Sequence, residues 1–465
     1  MRSRKNQEVV LTSVRRFLRM GATANLLNIL EKERPADLAE LFRGLPERER
    51  RAAFDLLVDR DRARAMEALS ELGAELGGPL LEGRSADDIS KLLAALPPDD
   101  AVEFVQDLPA ELAEPVLELL HKKEDDDVVE LLQHAENTAG RLMNPRVFAL
   151  SEDTTSGEAV AKLQQAGGKE LFFYVYVIDD REHLVGVVSL RRLLLVAPTA
   201  KLKDIMTSDV ISVGLDADQE EVAKLVTSYN VVAIPVVDNE NRLVGTITVD
   251  DVIDVIKDET TEDIQKIGGL EALDEPYVDT PFWTLVKKRA RWLVVLFLGE
   301  MLTATAMGHF EKEIASAVVL ALFVPLVISS GGNSGSQAAS LIIRALALGE
   351  VKLRDWWSVM QREILSGLAL GSLLGIVAFI RIASWHFLFN SYGEHWLKVA
   401  VTVGTALVGV VMWGTLSGSM LPFLMKRLGA DPAASSAPFV ATLVDVTGLV
   451  IYFSVAAVVL RGALL

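Results

Sequence analysis

The sequence predicts a multidomain membrane protein with an all-α amino-terminal solenoid, a tandem α+β repeat and a carboxyl-terminal domain of five transmembrane helices. Its 465 residues combine a mean hydropathy of +0.30 with a formal charge of −18, from 64 acidic and 46 basic residues. The acid is concentrated at one end, because residues 1–280 hold 32 basic and 55 acidic side chains, whereas residues 281–465 hold 14 and 9. An acidic soluble part therefore precedes an apolar membrane part.

The composition excludes several classes of protein. The chain has no cysteine, which excludes disulfide frameworks and thiolate metal or redox sites. A polyanionic soluble part argues against nucleic acid as a partner, because nucleic acids bind to basic surfaces. The excess of acidic residues favours cations as partners instead. The first residues contain no apolar signal-peptide core, so we expect the amino terminus to stay in the cytoplasm.

Residues 1–140 are predicted to form a cytosolic helical solenoid. Apolar residues recur there at helical spacing, and proline-containing breaks occur at 45–46, 96–98 and 108–109. Short helices of this kind bury their apolar stripes by stacking on one another. We find no catalytic motif in this part of the chain.

Residues 141–257 contain an internal repeat. The segment from Val175 to Ser189 matches the segment from Ile234 to Thr248, and both predict a strand, an acidic turn and a second strand before a helix. The repeat resembles a tandem pair of cystathionine-β-synthase (CBS) domains, which commonly bind nucleotides or dimerise.

The CBS resemblance implies at most one nucleotide site. In such domains a hydroxyl residue after the second strand and an Asp three positions later often hold ribose and phosphate. Thr248 and Asp251 fit this pattern and are the predicted cofactor-binding residues, whereas Ser189 is followed by Arg192 in place of the Asp. Val231 offers no aromatic face for adenine, so the sequence leaves ATP binding open.

Five apolar stretches follow a basic run at 287–291 and are long enough to span a membrane. They lie near 292–308, 314–343, 363–387, 397–424 and 434–460, within a predicted transmembrane domain of residues 285–465. With the amino terminus inside, the inner flanks hold ten basic residues and the outer flanks four. The positive-inside rule therefore predicts a multi-pass protein of the cell inner (plasma) membrane, in contact with lipid, with a cytoplasmic amino terminus.

Polar residues interrupt three of these spans. The second span contains the glycine-rich segment 329–337, which predicts irregular backbone lining a wet cavity, with a tight helix crossing as the alternative. The fifth span carries Asp445, and a mid-membrane carboxylate costs about 2.5–3.5 kcal/mol unless it is paired or wet, which favours a cation pathway. Glu300 in the first span lies either on this path or, as we favour, in a hydrogen bond to a neighbouring helix.

Acidic residues also cluster before the first span, in a predicted acidic connecting helix over residues 258–284. Carboxylates at 251, 254, 258 and 262 fall on one helical face, where like charges repel. Hard divalent cations such as Mg²⁺ prefer oxygen ligands of this kind. A solvated acidic surface is the alternative, but a position between a sensor and a pore favours divalent-cation binding.

The whole chain resembles the MgtE family of magnesium transporters. The resemblance rests on the order of solenoid, CBS pair, acidic helix and five spans, and on two membrane motifs at 331–337 and 431–448. It implies a homodimeric, Mg²⁺-selective channel for magnesium uptake that has no enzymatic activity. It also implies that Mg²⁺ bound to the cytosolic domains closes the pore, with the connecting helix at its inner mouth.

The resemblance further implies particular site residues. Asp445 would be the main pore carboxylate and Asp431 a ligand at the cytoplasmic end. The residues implied to line the pore are Gly332, Asn333, Ala441 and Thr442. The implied regulatory metal ligands are Asp218, Glu220, Asp251, Asp254, Glu259, Glu262, Asp263, Glu67 and Asp87. Glu300, and Asn230 where another acid is expected, depart from the family pattern.

Two other classes of function compete with a magnesium channel. A nucleotide-regulated anion channel also fits a CBS pair, but Asp445 and the position of the repeat before the spans argue against it. A membrane sensor or enzyme that transports nothing is the second alternative. The chain contains neither a His-Glu-x-x-His nor a Gly-x-Ser-x-Gly motif, which argues against a hydrolytic enzyme.

Overall fold

The structure is a computed structural model that describes residues 4–121, 126–166, 173–273, 277–278, 280–316 and 318–461. The chain forms two compact units, Met1–Asp258 and Glu259–Leu465. The finer predicted division, with boundaries after 140, 257 and 284, stays a prediction.

The first unit begins with short helices that stack side by side. They are α1 Arg4–Met20, α2 Thr23–Leu30, α3 Pro35–Arg43, α4 Glu47–Arg60, α5 Arg62–Leu72, α6 Ala74–Leu81, α7 Ala86–Leu93, α8 Pro98–Asp107, α9 Ala110–His121, α10 Asp127–Leu131 and α11 Ala139–Leu142. Pro35 and Pro98 each start a helix, where a missing N–H costs nothing. Because α3 packs on α5, α5 on α7 and α7 on α9, the predicted solenoid is confirmed.

The predicted repeat forms two small three-stranded sheets. Their strands are β1 Ala149–Ser151, β2 Tyr174–Ile178, β3 Leu184–Ser189, β4 Val213–Gly214, β5 Ala233–Val237 and β6 Leu243–Thr248. The accompanying helices are α12 Ser156–Ala166, α13 Leu190–Leu195, α14 Leu202–Ile205, α15 Gln219–Tyr229 and α16 Val249–Ile267. In each sheet the first strand pairs parallel to the second and the third pairs antiparallel to it, so the predicted α+β pair is confirmed.

The two copies of the repeat interlock. Gly186 on β3 packs against Met206, which precedes the second copy, and Gly245 on β6 packs in the same way against Met143, which precedes the first. A Cβ at either glycine would occupy the space that the methionine side chain takes. The equivalent Met residues therefore connect each copy to the sheet of the other.

Among its described residues, the second unit contains five helices that are long and apolar enough to span a membrane, as predicted. They are α17 Phe282–His309, α20 Val324–Ala347, α21 Trp356–Phe389, α22 Trp396–Arg427 and α23 Ala437–Val459, with the short helices α18 Glu311–Ser316 and α19 Val318–Ala321 after α17. Helix α22 packs against α20, α21 and α23, while α17 packs against α23. No residue of α17 is buried within one chain.

The prediction of irregular backbone at 329–337 is wrong, because α20 runs through this segment as a continuous helix. Its glycines serve close packing instead. A Cβ on Gly335 would lie 2.9 Å from the carbonyl oxygen of Gly414 on α22, and a Cβ on Gly331 would lie 2.9 Å from Val444 Cγ1 on α23. The helix keeps its hydrogen bonds, and the small residues let three helices approach closely.

The extent of the predicted connecting helix also needs correction. Helix α16 begins at Val249, within the second copy of the repeat, and ends at Ile267. Gly269 follows in the left-handed region with φ +74°, where glycine avoids the strain of a Cβ. A new helix, α17, starts only at Phe282, and residues 274–276 and 279 lie outside the described residues. Of the predicted helix 258–284, residues 258–267 thus belong to the end of α16 and residues 282–284 to the start of α17.

Candidate functional site

Asp445 lies at the contact between two spanning helices. Its α23 packs against α20, and a Cβ added to Gly332 of α20 would lie 4.0 Å from Asp445 Oδ1 and 3.6 Å from the Cα of Ala441. Asp445 itself is half-buried. The structure thus brings Gly332, Ala441 and Asp445 together.

A polar face continues from this contact along α20. Asn333 and Gln337 lie one turn apart and are exposed, and Asn333 donates a hydrogen bond of 3.5 Å to Ser329 Oγ. Thr442 on α23 directs its hydroxyl to the carbonyl oxygen of Pro438 at 3.0 Å. A hydrogen bond within the helix satisfies Thr442, whereas the amide of Gln337 is exposed on a helix predicted to cross the membrane.

Glu300 also reaches Asp445. Its side chain is exposed on α17 and lies within hydrogen-bonding distance of the Asp445 carboxyl group. Close packing accompanies the contact, since a Cβ on Gly299 would lie 3.0 Å from Thr442 Cγ2. The neighbouring helix that Glu300 contacts is therefore α23, the helix that carries Asp445, and the position of Glu300 on an ion path stays a prediction.

Asp431 lies in the loop before α23, and both of its carboxylate oxygens have partners. Oδ1 accepts the N–H of Ala433 at 2.8 Å, and Oδ2 accepts a hydrogen bond from Lys266 Nζ at 2.7 Å. Lys266 also pairs with Glu262 one turn earlier on α16. A lysine therefore contacts two of the predicted metal ligands.

Asp251 faces acidic residues of the solenoid that the sequence analysis did not select. Asp99 and Asp100, in the first turn of α8, lie close enough to α16 for their charges to act on Asp251 and its neighbours. Asp99 Oδ1 also accepts a hydrogen bond of 3.3 Å from Asn144, and Asp100 accepts one of 2.6 Å from Ser70. The pattern Pro97-Pro98-Asp99-Asp100 resembles an ordinary helix start, which conceals this pair of acids in the sequence.

The clustered acids have raised pKa values. Burial, together with the charges of Asp251 and Asp100, raises the pKa of Asp99 to about 8. Burial likewise raises the pKa of Asp251 to about 6, although its hydrogen bond from Thr248 lowers the pKa in part. Carboxylates gathered in this way favour either a proton or a cation between them.

The remaining predicted ligands occupy varied environments. Asp218 caps α15 by accepting the Glu220 N–H at 2.8 Å, and Glu220 is exposed. Asp254 pairs with Lys257 at 2.5 Å, and Asp87 pairs with Lys91. Further predicted ligands are Glu67, which is exposed on α5, and Glu259 and Asp263, which are partly buried on α16. Within the described ranges, no three Asp, Glu or His side chains converge closely enough to enclose a metal ion.

The predicted nucleotide residues lie in acidic surroundings. Thr248 Oγ1 donates a hydrogen bond of 2.7 Å to Asp251 and also bonds to Asp250. A more basic cavity of about 520 Å³ lies in the first copy of the repeat. It is lined by Tyr174, Val187, Ser189, Arg191, Arg192, Leu195, Val196 and Thr207. The arginines of this cavity suit phosphate better than the carboxylates beside Thr248 do.

Comparison with known proteins covers nearly the whole chain. A family model for a divalent cation transporter (MgtE) matches residues 324–455, one for the MgtE intracellular N domain matches 33–137, and one for the CBS domain matches 139–198 and 202–258. The magnesium transporter MgtE of Thermus thermophilus is 38% identical over 469 residues, covering 98% of this chain and 100% of that protein. The chain belongs to the MgtE family of magnesium transporters.

A second transporter, a solved structure and a dehydrogenase are also similar to all or part of the chain. The magnesium transporter MgtE of Bacillus subtilis is 30% identical, covering 95% of each chain. Among solved structures, the cytosolic domain of the Mg²⁺ channel MgtE in complex with ATP is 35% identical and covers 53% of this chain and 99% of that one, with a TM-score of 0.49. An inosine-5'-monophosphate dehydrogenase of Methanocaldococcus jannaschii matches only 23% of the chain.

Family membership and the five apolar helices make this MgtE protein a multi-pass membrane transporter with Mg²⁺ as its substrate. The dehydrogenase similarity does not extend beyond the CBS domains, so it carries no implication of catalysis. The predicted family, fold class and magnesium substrate are thereby confirmed.

Proposed function

We propose that this MgtE protein is a Mg²⁺-selective uptake channel whose ion path passes Asp445. The observation that carries the proposal is the placement of the Asp445 carboxylate against Gly332 and Ala441, with the side chain of Glu300 within hydrogen-bonding distance of it. Asn333 and Thr442 complete the proposed pore lining, as the family resemblance implies. A carboxylate in this position attracts cations and repels anions, which disfavours an anion channel.

The proposed pore lies at the interface of a homodimer. Asn333 and Gln337 are exposed along one face of α20 in a single chain, and lipid cannot satisfy their amides. A second copy that meets this face would shield the amides from lipid and place two Asp445 carboxylates around one path. Selectivity over Ca²⁺ would follow from fitting the tightly held water shell of Mg²⁺.

The proposed gate is the acidic cytosolic region. Ionised carboxylates at Asp99, at Asp100 and on α16 would repel one another, so a divalent cation that binds between them favours the compact arrangement. The ligands are the predicted Asp218, Glu220, Asp251, Asp254, Glu259, Glu262, Asp263, Glu67, Asp87 and Asp431, to which the geometry adds Asp99 and Asp100. High cytosolic Mg²⁺ would then close the pore, and low Mg²⁺ would open it.

The proposed membrane is the inner (plasma) membrane, with the amino terminus in the cytoplasm. The support is the excess of basic residues on the flanks assigned to the inside, ten against four. This orientation puts the acidic solenoid and the CBS pair on the side where Mg²⁺ accumulates after uptake.

A nucleotide is a second proposed ligand of the cytosolic region. Phosphates would meet the guanidinium groups of Arg191 and Arg192, with Ser189 and Tyr174 in the same cavity. We favour this cavity over the predicted Thr248 and Asp251, because nearby carboxylates would repel a polyphosphate. Isothermal titration of ATP into the full chain and into Arg191→Ala tests the assignment, and equal affinities would exclude the cavity.

Ion flux into proteoliposomes tests the main proposal. We expect Mg²⁺ entry to fall about tenfold or more in Asp445→Asn, since losing about 1.4 kcal/mol of ion binding already changes an equilibrium tenfold. Asp180→Asn, the same substitution at an exposed turn of the CBS pair, is the control and should keep wild-type flux. Unchanged Mg²⁺ entry in Asp445→Asn, or chloride flux in the wild type, would contradict the proposal.

A further inference from the structure

Lys266 lies in the last turn of α16 and contacts the loop before α23. Its ammonium group donates to Asp431 Oδ2 at 2.7 Å across 165 residues of chain and also pairs with Glu262. The side chains of Lys266, Glu262 and Asp431 are 31%, 36% and 39% exposed, so water reaches this cluster only in part. One basic group thus connects two carboxylates that would otherwise face each other.

Lys266 is one positive charge beside several acidic side chains. Burial raises the pKa of the nearby Asp263, and the charges of Asp431, Glu259 and Glu262 raise it further, while Lys266 lowers it. For Lys266 itself, burial lowers the pKa, but the hydrogen bonds to Asp431 and Glu262 outweigh burial and raise it overall. The lysine therefore stays charged and offsets part of a cluster of four acids.

The turn after α16 is fixed to the same part of the membrane unit. Gly269 packs tightly on Trp292 and Pro438, since a Cβ there would lie 2.9 Å from the indole ring of Trp292 and 3.0 Å from Pro438 Cγ. Arg291 on α17 makes two bonds of 2.9 Å to Glu271. The contact of Lys266 with Asp431 therefore holds a segment that already lies against the inner ends of α17 and α23.

We propose that Lys266 is a built-in counter-cation that occupies the Asp431–Glu262 position when no divalent ion is bound there, and that Mg²⁺ must displace it. The proposal rests on the proposed gating function and adds a positioning residue to it. Lysine and Mg²⁺ compete for the same carboxylates. The ion pairs of the ammonium group therefore stabilise the closed arrangement even when no metal is bound. It also raises the Mg²⁺ concentration at which the remaining acids fill.

Currents carried by Mg²⁺ through the full-length protein in planar bilayers test this proposal. The cytosolic side is held either at chelated or at millimolar Mg²⁺. In Lys266→Gln we expect about two- to fivefold more current in chelator, the range for a half-exposed ion pair. We also expect inhibition at a lower Mg²⁺ concentration than in wild type. Lys266→Arg should behave as wild type. The control Lys162→Gln, which removes the same charge from an exposed site on α12, should also behave as wild type.

An Asp431→Asn background separates this role from a general loss of structure. There, Lys266→Gln should add little to the current in chelator, because the partner of Lys266 in the loop before α23 is already gone. Equal currents for Lys266→Gln and wild type in chelator would overturn the proposal, as would a rise that persists undiminished in Asp431→Asn. Wild-type current that millimolar Mg²⁺ does not reduce would overturn the proposed gating instead, so the two failures are distinguishable.

Discussion

Asp445 depends on its neighbours for what it can do. Gly332 and Ala441 lie beside its carboxylate, and Glu300 brings a second acid from α17 to the same place. Asp99 and Asp251 are a corresponding pair in the cytosolic region, where burial raises both pKa values. In both cases residues distant in sequence decide whether an acid is a solvated charge or a cation ligand.

Glu300 should strengthen cation entry through its charge. We expect Glu300→Gln to reduce Mg²⁺ flux a few-fold at low external Mg²⁺ and to have little effect at saturation, because the lost charge attracts the ion without being its main ligand. Flux into proteoliposomes over a range of Mg²⁺ concentrations measures this. Glu350→Gln, an exposed acid between α20 and α21, is the control, and equal curves for the two variants would contradict the prediction.

Asp99 should release a proton when Mg²⁺ binds. Its pKa of about 8 leaves it largely protonated at pH 7, and a metal ligand must be deprotonated. Because the pKa of Asp99 is raised, the folded state keeps a proton that the unfolded state has lost, and the folded state becomes less stable as the pH rises towards 8. The affinity for Mg²⁺ rises over the same pH range. Mg²⁺ added to weakly buffered protein at pH 7 should therefore acidify the solution.

The matched comparison for this proton release lies on one helix. Asp99→Asn should lower the number of protons released, whereas Asp107→Asn, at the other end of α8, should not. A pH-indicator dye reports both values. The prediction fails when both variants release as many protons as the wild type.

The membrane helices are held together by small residues at regular spacing. Gly331 and Gly335 of α20 meet Gly414 and Gly418 of α22, and Gly375 of α21 packs on α22 in the same way. Lipid supplies no hydrophobic drive for association, so close packing of this kind is what brings helices together. The contact positions α20, and with it Gly332, beside Asp445.

Adding one methyl group at this contact should destabilise the membrane unit. A Cβ on Gly335 would lie 2.8 Å from Val440 Cγ1 and 2.9 Å from a backbone oxygen that cannot move freely, and overpacking typically costs about 1–3 kcal/mol. We therefore expect Gly335→Ala to lower the unfolding temperature in detergent. Gly308→Ala, where the new Cβ meets nothing within 4 Å, should keep or slightly raise it. Equal shifts for the two variants would exclude the packing role.

Across the whole molecule, charge is divided between an acidic amino-terminal part and a mildly basic part that holds the apolar helices. The first 280 residues carry an excess of 23 acidic side chains, whereas the remaining residues carry an excess of five basic ones. Repulsion within the first group opposes compaction until a cation is bound, which is the basis of the proposed feedback. Lys266 lies within the acidic part and offsets some of its charge locally.

Neutralising the acidic face of α16 should hold the channel open at high Mg²⁺. The variant changes Asp251, Asp254, Glu259 and Glu262 to amides, which removes the proposed ligands through which Mg²⁺ favours the compact arrangement. We expect millimolar Mg²⁺ to leave its flux high and its cytosolic part sensitive to protease, in contrast to the wild type.

The control for this variant carries the same charge change elsewhere. It neutralises four exposed acids away from α16, namely Glu111, Glu114 and Glu118 on α9 and Asp180 in the CBS pair. Closure by Mg²⁺ in the α16 variant, or its loss in the control, would make the acidic face an ordinary solvated surface.

Much of the fold could be predicted because it depends on local patterns. Five apolar stretches, a repeated strand-turn-strand and proline-punctuated helices each appear in consecutive residues, and all three appear in the structure. The segment 329–337 was predicted wrongly because glycine signals both a broken helix and a close crossing. Only the positions of Gly414 and Val444 on other helices decide between the two.

The sequence by itself determined the family, through its resemblance to MgtE proteins, and the fold class and the five spans, through composition and contiguous motifs. Tertiary structure alone placed Asp99 against Asp251, Glu300 against Asp445 and Lys266 against Asp431. Contacts between charges depend on distance in space, and residues 165 apart in the chain show no sign of their pairing in a linear pattern.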